Sequence, residues 1–233
     1  MTSGQPLPPV PPIEFGPGRR NTGELVAQHV RELIFEGRLR PGSRVHQDGL
    51  AKVLGVSHIP VREALAALER EGWIVIEPRR GAYVRVLDRA SMEDHFEILG
   101  FSFGLALRRA IDRSNPAFEA ELRAVLKALR ATDDPEEAKG VAQRFFHAVL
   151  GTAASPRVSF VVETLVMLIP ANFFGLVPGS LSVYKRQVAA AIRGVLRHDP
   201  DAAAAAYARL AEQEGALVIK LLAARGFLAG AED

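Results

Sequence analysis

Cysteine is absent from all 233 residues of the chain. This absence excludes disulfide bonds, thiolate metal sites and cysteine nucleophiles, because each of them requires a thiol side chain. A long uninterrupted hydrophobic run is also missing, since Glu163 and Pro170 divide the most apolar stretch, residues 158–177. That stretch predicts a pair of buried helices rather than a membrane span. The N-terminus lacks the basic-then-apolar order of a signal peptide, and we expect a cytoplasmic protein without a membrane partner.

Residue arrangements that are typical of enzymes are missing as well. The sequence has no Ser-His-Asp order, no evident pair of catalytic carboxylates and no glycine-rich phosphate loop. Four histidines are isolated along the chain and are interpreted as surface or satisfied core residues: His29, His46, His95 and His198. We therefore expect neither enzymatic activity nor a cofactor.

Charge is distributed unevenly, although the formal net charge is only +2. Residues 19–87 contain 12 basic and 8 acidic side chains, whereas residues 88–233 contain 17 and 18. The positive excess in the N-terminal part gives weak support for a polyanionic partner there. The residues before it, 1–18, are rich in proline and are expected to form a disordered tail.

Residues 19–87 have the element order of a winged helix-turn-helix domain. Apolar residues at helical spacing predict helices at 23–36, 47–54 and 57–71, and β-rich runs predict strands at 73–77 and 82–86. Gly55 ends the second helix, Ser57 is a favourable N-cap for the third, and Pro60 fits its first turn. Residues 78–81, between the strands, have the composition of a hairpin turn.

Beyond residue 87 the pattern is helical throughout. Breaks that contain proline or glycine separate six predicted helices, at 91–112, 117–131, 135–154, 158–174, 181–198 and 202–225. Because no strand signal interrupts them, residues 88–228 are predicted to form one all-α bundle. The predicted fold class is therefore mainly α, with an N-terminal winged helix-turn-helix followed by an all-helical domain.

The third predicted helix is the candidate for reading DNA. In a helix-turn-helix domain, the N-terminal residues of the recognition helix meet base edges in the major groove. That end is formed here by Ser57, His58, Ile59 and Pro60, and Arg62 follows one turn after His58, away from the apolar stripe. Arg62 is expected to bind a guanine or a phosphate, His58 to donate to either, and Ile59 to pack on a thymine methyl.

The hairpin turn supplies a second group of candidate DNA contacts. Arg79 and Arg80 are expected to reach the minor groove or the DNA backbone, with Gly81 ending the turn and Arg44 as a further candidate. A generic helix pair with solvated arginines would explain any one of these residues. The whole ordered set favours DNA binding.

Two segments within residues 22–86, RELIFEGRLRPGSRV and LAKVLGVSHIPVREALAALEREGWIVIEPRRGAYV, resemble the N-terminal domain of GntR-family bacterial transcription regulators. The resemblance implies a homodimer that binds a roughly palindromic double-stranded DNA operator, and repression is the expected outcome. His58 departs from the family pattern, which usually has arginine after the capping residue. Asp48 stands where a second DNA-contacting arginine is common. It either accepts from a cytosine N4 or pairs with Arg44, and the sequence leaves both open.

The helical part is similar to the FCD type of effector domain of the FadR-like subgroup, in its layout and in the fragment FFHAVL at 145–150. Many FCD domains hold a divalent metal with an aspartate and three histidines, and His147 alone matches these ligands here. The other positions include Gln143 and Lys185. An imidazole beside a lysine is a poor divalent site, so no metal is predicted.

The resemblance instead implies a small-molecule effector, expected to be a carboxylate or an acyl compound bound without metal. Its predicted polar anchors, in a largely apolar pocket, are Arg108, Gln143, His147 and Lys185. Two alternatives stay open. One is a helical ligand-binding or interaction module whose winged domain no longer binds DNA, and the other is a metal-dependent sensor of the same family.

Overall fold

The computed structural model describes residues 22–228, and the segment predicted to be a disordered tail, 1–18, lies outside the described residues. The described chain divides into two compact units. Residues 22–87 and 225–228 belong to the first, and the second runs from Asp88 to Ala224. The predicted mainly α fold class, with a winged domain followed by a helical domain, is confirmed. Between residues 22 and 228 there is no helix long and apolar enough to cross a membrane.

Within residues 22–87, the first unit combines three helices with a small antiparallel sheet. The helices are α1 (Thr22–Phe35), α2 (Gln47–Leu54) and α3 (His58–Arg70), and the strands are β1 (Arg44–Val45), β2 (Ile74–Glu77) and β3 (Gly81–Val84). The order β1-β3-β2 places β3 in the centre, where Tyr83 lies opposite Arg44 on one side and Val75 on the other. Strand β1 was not predicted, because two residues are too few to show an alternating pattern.

The turn between α2 and α3 follows from its local sequence. Gly55 adopts the left-handed conformation, with φ of 64°, and its N–H donates to the carbonyl of Ala51, which ends α2. Ser57 is the N-cap residue of α3, as predicted, but its side chain makes no capping hydrogen bond. Val61 and Leu65 are buried, so the opposite face of α3 is left on the surface.

A fully buried arginine, Arg31, holds the end of α3 against α1. Its Nε and Nη2 donate to the two carboxylate oxygens of Glu71 at 2.9 and 2.8 Å, and its Nη1 donates to Glu24 at 2.9 Å. Burial alone would lower the pKa of Arg31, but the hydrogen bonds and charges of the two glutamates raise it above its ordinary value. The paired geometry makes this buried cation a structural tie between the two helices.

Residues 225–228 complete the core of the first unit. The backbone N–H of Leu87 donates to the carbonyl of Phe227 at 2.6 Å, and Leu87 forms a parallel bridge with Leu228. The side chain of Phe227 is fully buried. The helical domain was expected to run through residue 228, and the structure differs in assigning 225–228 to the winged unit. Burial of an aromatic side chain accounts for that position.

The second unit, Asp88–Ala224, is helical. Its elements are α4 (Arg89–Asp112), α5 (Pro116–Ala131), α6 (Pro135–Ala153), α7 (Pro156–Met167), α8 (Phe173–Leu176), α9 (Ser180–Leu196) and α10 (Pro200–Ala224). Side-chain caps from Asp88, Asn115 and Asp134 start α4, α5 and α6. The pair of helices predicted for 158–177 is present, but the single helical span of 158–174 is wrong, because the chain turns at Pro170 and divides the segment into α7 and α8.

Helix α10 packs against both α4 and α9. Close approach to α4 depends on Gly215, where a Cβ atom would lie 2.8 Å from the ring of Phe96. Close approach to α9 depends on Gly194, where a Cβ atom would lie 2.7 Å from the backbone nitrogen of Ala203. One side of α10 therefore faces the core of the unit and contributes to it directly.

Candidate nucleic-acid interface and ligand site

The N-terminal end of α3 presents its predicted DNA-reading residues to the surface. Ser57, His58 and Arg62 are exposed, and Ile59 is 61% exposed although it is apolar. Pro60 lies in the first turn and is half-buried. The helix is amphipathic, and the buried stripe that includes Val61 fixes which side is free. An exposed apolar residue between a histidine and an arginine is suited to contact with base edges.

Asp48 lies close to His58 on this surface. The Nδ1 atom of His58 is 3.7 Å from Oδ1 of Asp48, with both side chains largely exposed. Among the residues described, Asp48 forms no ion pair with Arg44, which was one of the two roles open to it. A protonated His58 would be neutralised in part by this carboxylate, and the pair is exposed enough to separate on contact with a phosphate.

The wing turn holds Arg79 in a conformation that arginine rarely adopts. The N–H of Arg80 donates to the carbonyl of Glu77 at 3.1 Å, and Pro78 and Arg79 are the two central residues of the turn. Arg79 has φ of 64°, in the left-handed region that favours glycine at this position. Its retention there at a conformational cost is an indication of function at the wing tip.

The other two wing arginines are placed by side-chain contacts. Arg80 pairs with Glu77 at 2.7 Å while its side chain remains 74% exposed. Arg44 crosses the backbone at Gly81, where a Cβ atom would lie 2.9 Å from Nε of Arg44. Arg44, Arg79 and Arg80 therefore belong to one region of the sheet, and all three are exposed. A group of exposed guanidinium groups is suited to contact with phosphates.

The predicted effector anchors lie outside the core of the helical unit. Arg108, Gln143 and His147 are exposed, and Lys185 is half-buried. Nη1 of Arg108 is 2.6 Å from the carboxylate of Asp201, and Nζ of Lys185 is 2.5 Å from Asp133. The two predicted cations are thus already paired, and the role of all four residues in binding an effector stays a prediction.

A polar cluster that was not predicted lies inside the helical unit. It contains Tyr184 and Gln187 on α9 and Tyr207 and Glu214 on α10, all of them more than nine-tenths buried. The Oε1 atom of Glu214 has no hydrogen-bond partner among the described residues. One signal could have identified Glu214, because it is an acid within an otherwise apolar stripe of α10 that includes Leu210.

Burial dominates the electrostatics of this cluster. It raises the pKa of Glu214 to about 8, from an ordinary value of 4.5. It also raises the pKa of Tyr184 and of Tyr207, and the charge of Glu214 raises both further. On α4, burial lowers the pKa of His95 to about 4. At neutral pH the cluster therefore holds a neutral acid and two neutral phenols.

Across residues 22–228, no three His, Asp or Glu side chains come together in an arrangement that could hold a metal ion. His147, which matches a ligand position of the resembled domain, is exposed on α6.

An apolar surface lies along α4 and α7. Phe101 and Phe160 are 76% and 70% exposed, and Ile98 is 50% exposed. Next to them is a groove of about 580 Å³, to which Phe101 and Val161 contribute. Large apolar side chains with this much exposure, beside an open groove, are typical of an interaction surface.

Residues 22–84 match a family described as bacterial regulatory proteins, gntR family, and residues 104–213 match the FCD domain. An HTH-type transcriptional regulator of Mycobacterium tuberculosis is 31% identical over 187 residues, which are 78% of this chain and 75% of that protein. The Nta operon transcriptional regulator of Aminobacter aminovorans is 37% identical over 84 residues, which are 36% of this chain and 40% of that protein.

Solved structures show the same architecture. E. coli McbR/YncC has a TM-score of 0.64 at 20% identity, over 87% of this chain and 99% of that chain. A GntR family member from Pseudomonas syringae has a TM-score of 0.53 at 21% identity, over 88% of this chain and 87% of that chain. At these identities the likeness establishes a shared fold.

Proposed function

The chain belongs to the GntR family of bacterial transcriptional regulators and carries an FCD domain, and on this premise we propose that it binds a palindromic operator as a ligand-responsive homodimer. The observation that carries the proposal is the exposed N-terminal end of α3. Arg62, His58 and Ile59 are all exposed on the side opposite the buried stripe. Access to chromosomal DNA requires a cytoplasmic location.

Recognition divides between base edges and the DNA backbone. Arg62 offers a bidentate donor to guanine O6 and N7, and Ile59 offers an apolar contact to a thymine methyl. Ser57 adds a hydroxyl that is not used as a helix cap. The arginines of the wing, Arg79 and Arg80, supply contacts to the backbone or minor groove, which set the register without reading sequence directly.

The apolar surface of α4 and α7 is the proposed dimer contact. A palindromic operator presents two half-sites related by a two-fold axis, and a homodimer presents two recognition helices with the same symmetry. Phe101 and Phe160 would be removed from water by a second copy of the chain. A dimer that occupies an operator excludes other proteins from that DNA, and repression is therefore the proposed outcome.

The last helix offers a path from ligand to DNA. Helix α10 carries two members of the buried cluster, Tyr207 and Glu214, and ends at Ala224. The residues that follow it, 225–228, form part of the core of the winged unit through Phe227. A ligand that binds one position of α10 better than another would alter the winged unit through this covalent connection.

The chemical class of the effector is the less defined part of the proposal. The sequence predicts a carboxylate or an acyl compound, for which Lys185 and Arg108 are the candidate cations. Each of them already pairs with an aspartate in the structure. A carboxylate would have to displace Asp133 or Asp201 to use them.

Selection from random double-stranded oligonucleotides tests the proposed function. We expect the full chain to enrich a palindrome whose half-sites are spaced by about one helical turn, roughly 10 base pairs. Arg62→Ala should enrich the palindrome much less than wild type, whereas Arg70→Ala is a matched control, because Arg70 is an exposed arginine at the other end of α3. Failure of the folded wild-type chain to enrich any sequence would support a winged domain that no longer binds DNA.

Metal analysis separates the proposal from a metal-dependent sensor. The protein is purified without chelators and its zinc, nickel and manganese contents are measured. The proposal expects adventitious metal only, at most about one ion per ten chains. A stoichiometric amount of any of the three metals would support the sensor alternative.

A further inference from the structure

We propose that the buried cluster formed by Tyr184, Gln187, Tyr207 and Glu214 recognises the effector, and that the effector is an organic cation carrying a protonated amine. This inference rests on the proposal that the helical unit binds a regulatory ligand, and it assigns that ligand a charge opposite to the one the sequence predicts. These four residues are called the amine cluster.

Glu214 is the centre of the amine cluster. Its side chain is within the packed face of α10, one turn beyond Leu210 and two turns beyond Tyr207. Its Oε1 atom is buried and has no hydrogen-bond partner among residues 22–228. A buried carboxyl oxygen without a partner is costly, and the group that would satisfy it is a donor of hydrogen bonds.

No basic side chain supplies that donor in the described chain. The nearest candidate by position is Arg186, but its Nη2 donates to Oε1 of Gln213 at 2.7 Å. Gln187 is directed to the same oxygen at 3.4 Å. The titratable groups that interact electrostatically with Glu214 are Tyr184 on α9 and Tyr207 on α10. Charged side chains of α4 and α9, among them Arg109, Lys185 and Arg193, make no contribution to the pKa of Glu214, which burial raises. Burial keeps both phenols neutral at neutral pH.

The surroundings favour a cation over an anion. An anionic ligand offers hydrogen-bond acceptors alone and would leave the Oε1 atom of an ionised Glu214 without a donor. A protonated amine forms a charge-assisted hydrogen bond with the carboxylate and neutralises it. The ligand thereby donates a hydrogen bond to the unpartnered oxygen and neutralises the charge of the carboxylate.

Two aromatic rings pack against the tyrosines of the amine cluster. Phe103 of α4 stacks on Tyr207 with ring centroids 3.9 Å apart, and Phe174 of α8 lies 5.0 Å from Tyr184. Rings beside an acid stabilise a cation through their quadrupoles and cover its apolar part. This combination selects an amine with an attached apolar group.

Thermal unfolding with matched probes tests the inference. The probes are 2-phenylethylamine, 3-phenylpropionate and 2-phenylethanol, which share one skeleton and differ in charge, together with methylammonium as a minimal cation. We expect the two cations to raise the Tm of the full chain, and the carboxylate and the alcohol to leave it unchanged at equal ionic strength. Binding should also strengthen about tenfold per pH unit between pH 6 and 7 and level off above pH 8, because the cation requires ionised Glu214.

Two variants serve as controls. Glu214→Gln keeps the shape and removes the charge, so it should lose the cation-induced rise in Tm and its pH dependence. Glu212→Gln removes an exposed acid two residues earlier on the same helix and should behave as wild type. Should Glu214→Gln fold poorly, Tyr184→Phe provides the second variant, with weaker binding of both cations expected.

Two results would overturn the inference. One is equal stabilisation of wild type and Glu214→Gln by the cations, and the other is no stabilisation of wild type by either cation. Stabilisation by 3-phenylpropionate alone would return the effector to the carboxylate class. In each case operator binding by the ligand-free protein is measured separately. A result that contradicts amine binding therefore leaves the proposed DNA-binding function to be judged by its own measurement.

Discussion

Glu214→Gln is expected to make the protein more stable at neutral pH, and the gain should depend on pH. The folded state raises the pKa of Glu214 to about 8, whereas the unfolded chain restores an ordinary value near 4.5. Below pH 4.5 the group is protonated in both states and imposes no penalty. As pH rises from 4.5 to 8 the unfolded state ionises first, so stability falls, and above pH 8 the loss is complete.

The size of the effect follows from the same two pKa values. Each pH unit well inside this window corresponds to about 1.4 kcal/mol, and the steps near the two pKa values to less, so the free energy of unfolding of wild type should fall by about 3–4 kcal/mol relative to Glu214→Gln between pH 5 and 8. Glutamine remains neutral throughout and has nearly the same shape. Effects of other titrating groups, such as His95, cancel because both proteins contain them.

Urea unfolding at pH 5, 6, 7 and 8, followed by circular dichroism, provides the assay. Glu212→Gln is the matched control, since its acid is exposed and its removal should change the pH profile little. If the difference between wild type and Glu214→Gln stays constant across these pH values, Glu214 is not a buried neutral acid. That result would remove the basis of the amine cluster.

Three further substitutions test other parts of the structure. Arg31→Ala should lower the free energy of unfolding of the winged unit by about 3–5 kcal/mol, because it leaves two carboxylates without their buried partner. Unfolding is followed by Trp73 fluorescence, and a decrease below about 1 kcal/mol would contradict this expectation. Arg79→Gly should leave the unfolding free energy within about 1 kcal/mol of wild type, since relief of the left-handed strain offsets added chain entropy. Its operator affinity should fall, and unchanged affinity would count against a role for the wing tip. Phe101→Glu should convert the proposed dimer into a folded monomer, as measured by light scattering, and a persistent dimer would exclude this surface as the contact.

The winged domain was largely predictable because its turns are encoded locally. The turn after α2 requires a left-handed residue, which Gly55 supplies at low conformational cost, and α2 ends at the predicted residue. Ser57 lies at the N-cap of α3 as expected, although its hydroxyl makes no cap bond. Strand β1 was missed because its pairing with β3 depends on residues almost 40 positions away, which no local pattern records.

The helical domain shows where periodicity stops being informative. The stretch 158–177 was predicted to form a pair of helices, but its helical periodicity runs through 158–174 and did not give the bounds of α7 and α8. Residues 225–228 belong to the winged unit because Phe227 makes a tertiary contact there. They follow the last predicted helix, so helical periodicity gives no information about this contact. Glu214 was missed for a different reason, since its burial and unpartnered oxygen depend on how α9 and α10 pack.

The central claim, that α3 reads DNA, is tested most directly by the affinity of Arg62→Ala for the selected operator. Fluorescence anisotropy at one fixed salt concentration compares it with wild type and with Arg70→Ala. The account predicts a loss of about 5- to 150-fold for Arg62→Ala, equivalent to about 1–3 kcal/mol for a bidentate base contact, and wild-type affinity for Arg70→Ala. His58→Arg, which adds a cation beside Asp48, should strengthen binding or shift base preference. Wild-type affinity and base preference in both Arg62→Ala and His58→Arg would contradict the assignment of α3 as the recognition helix.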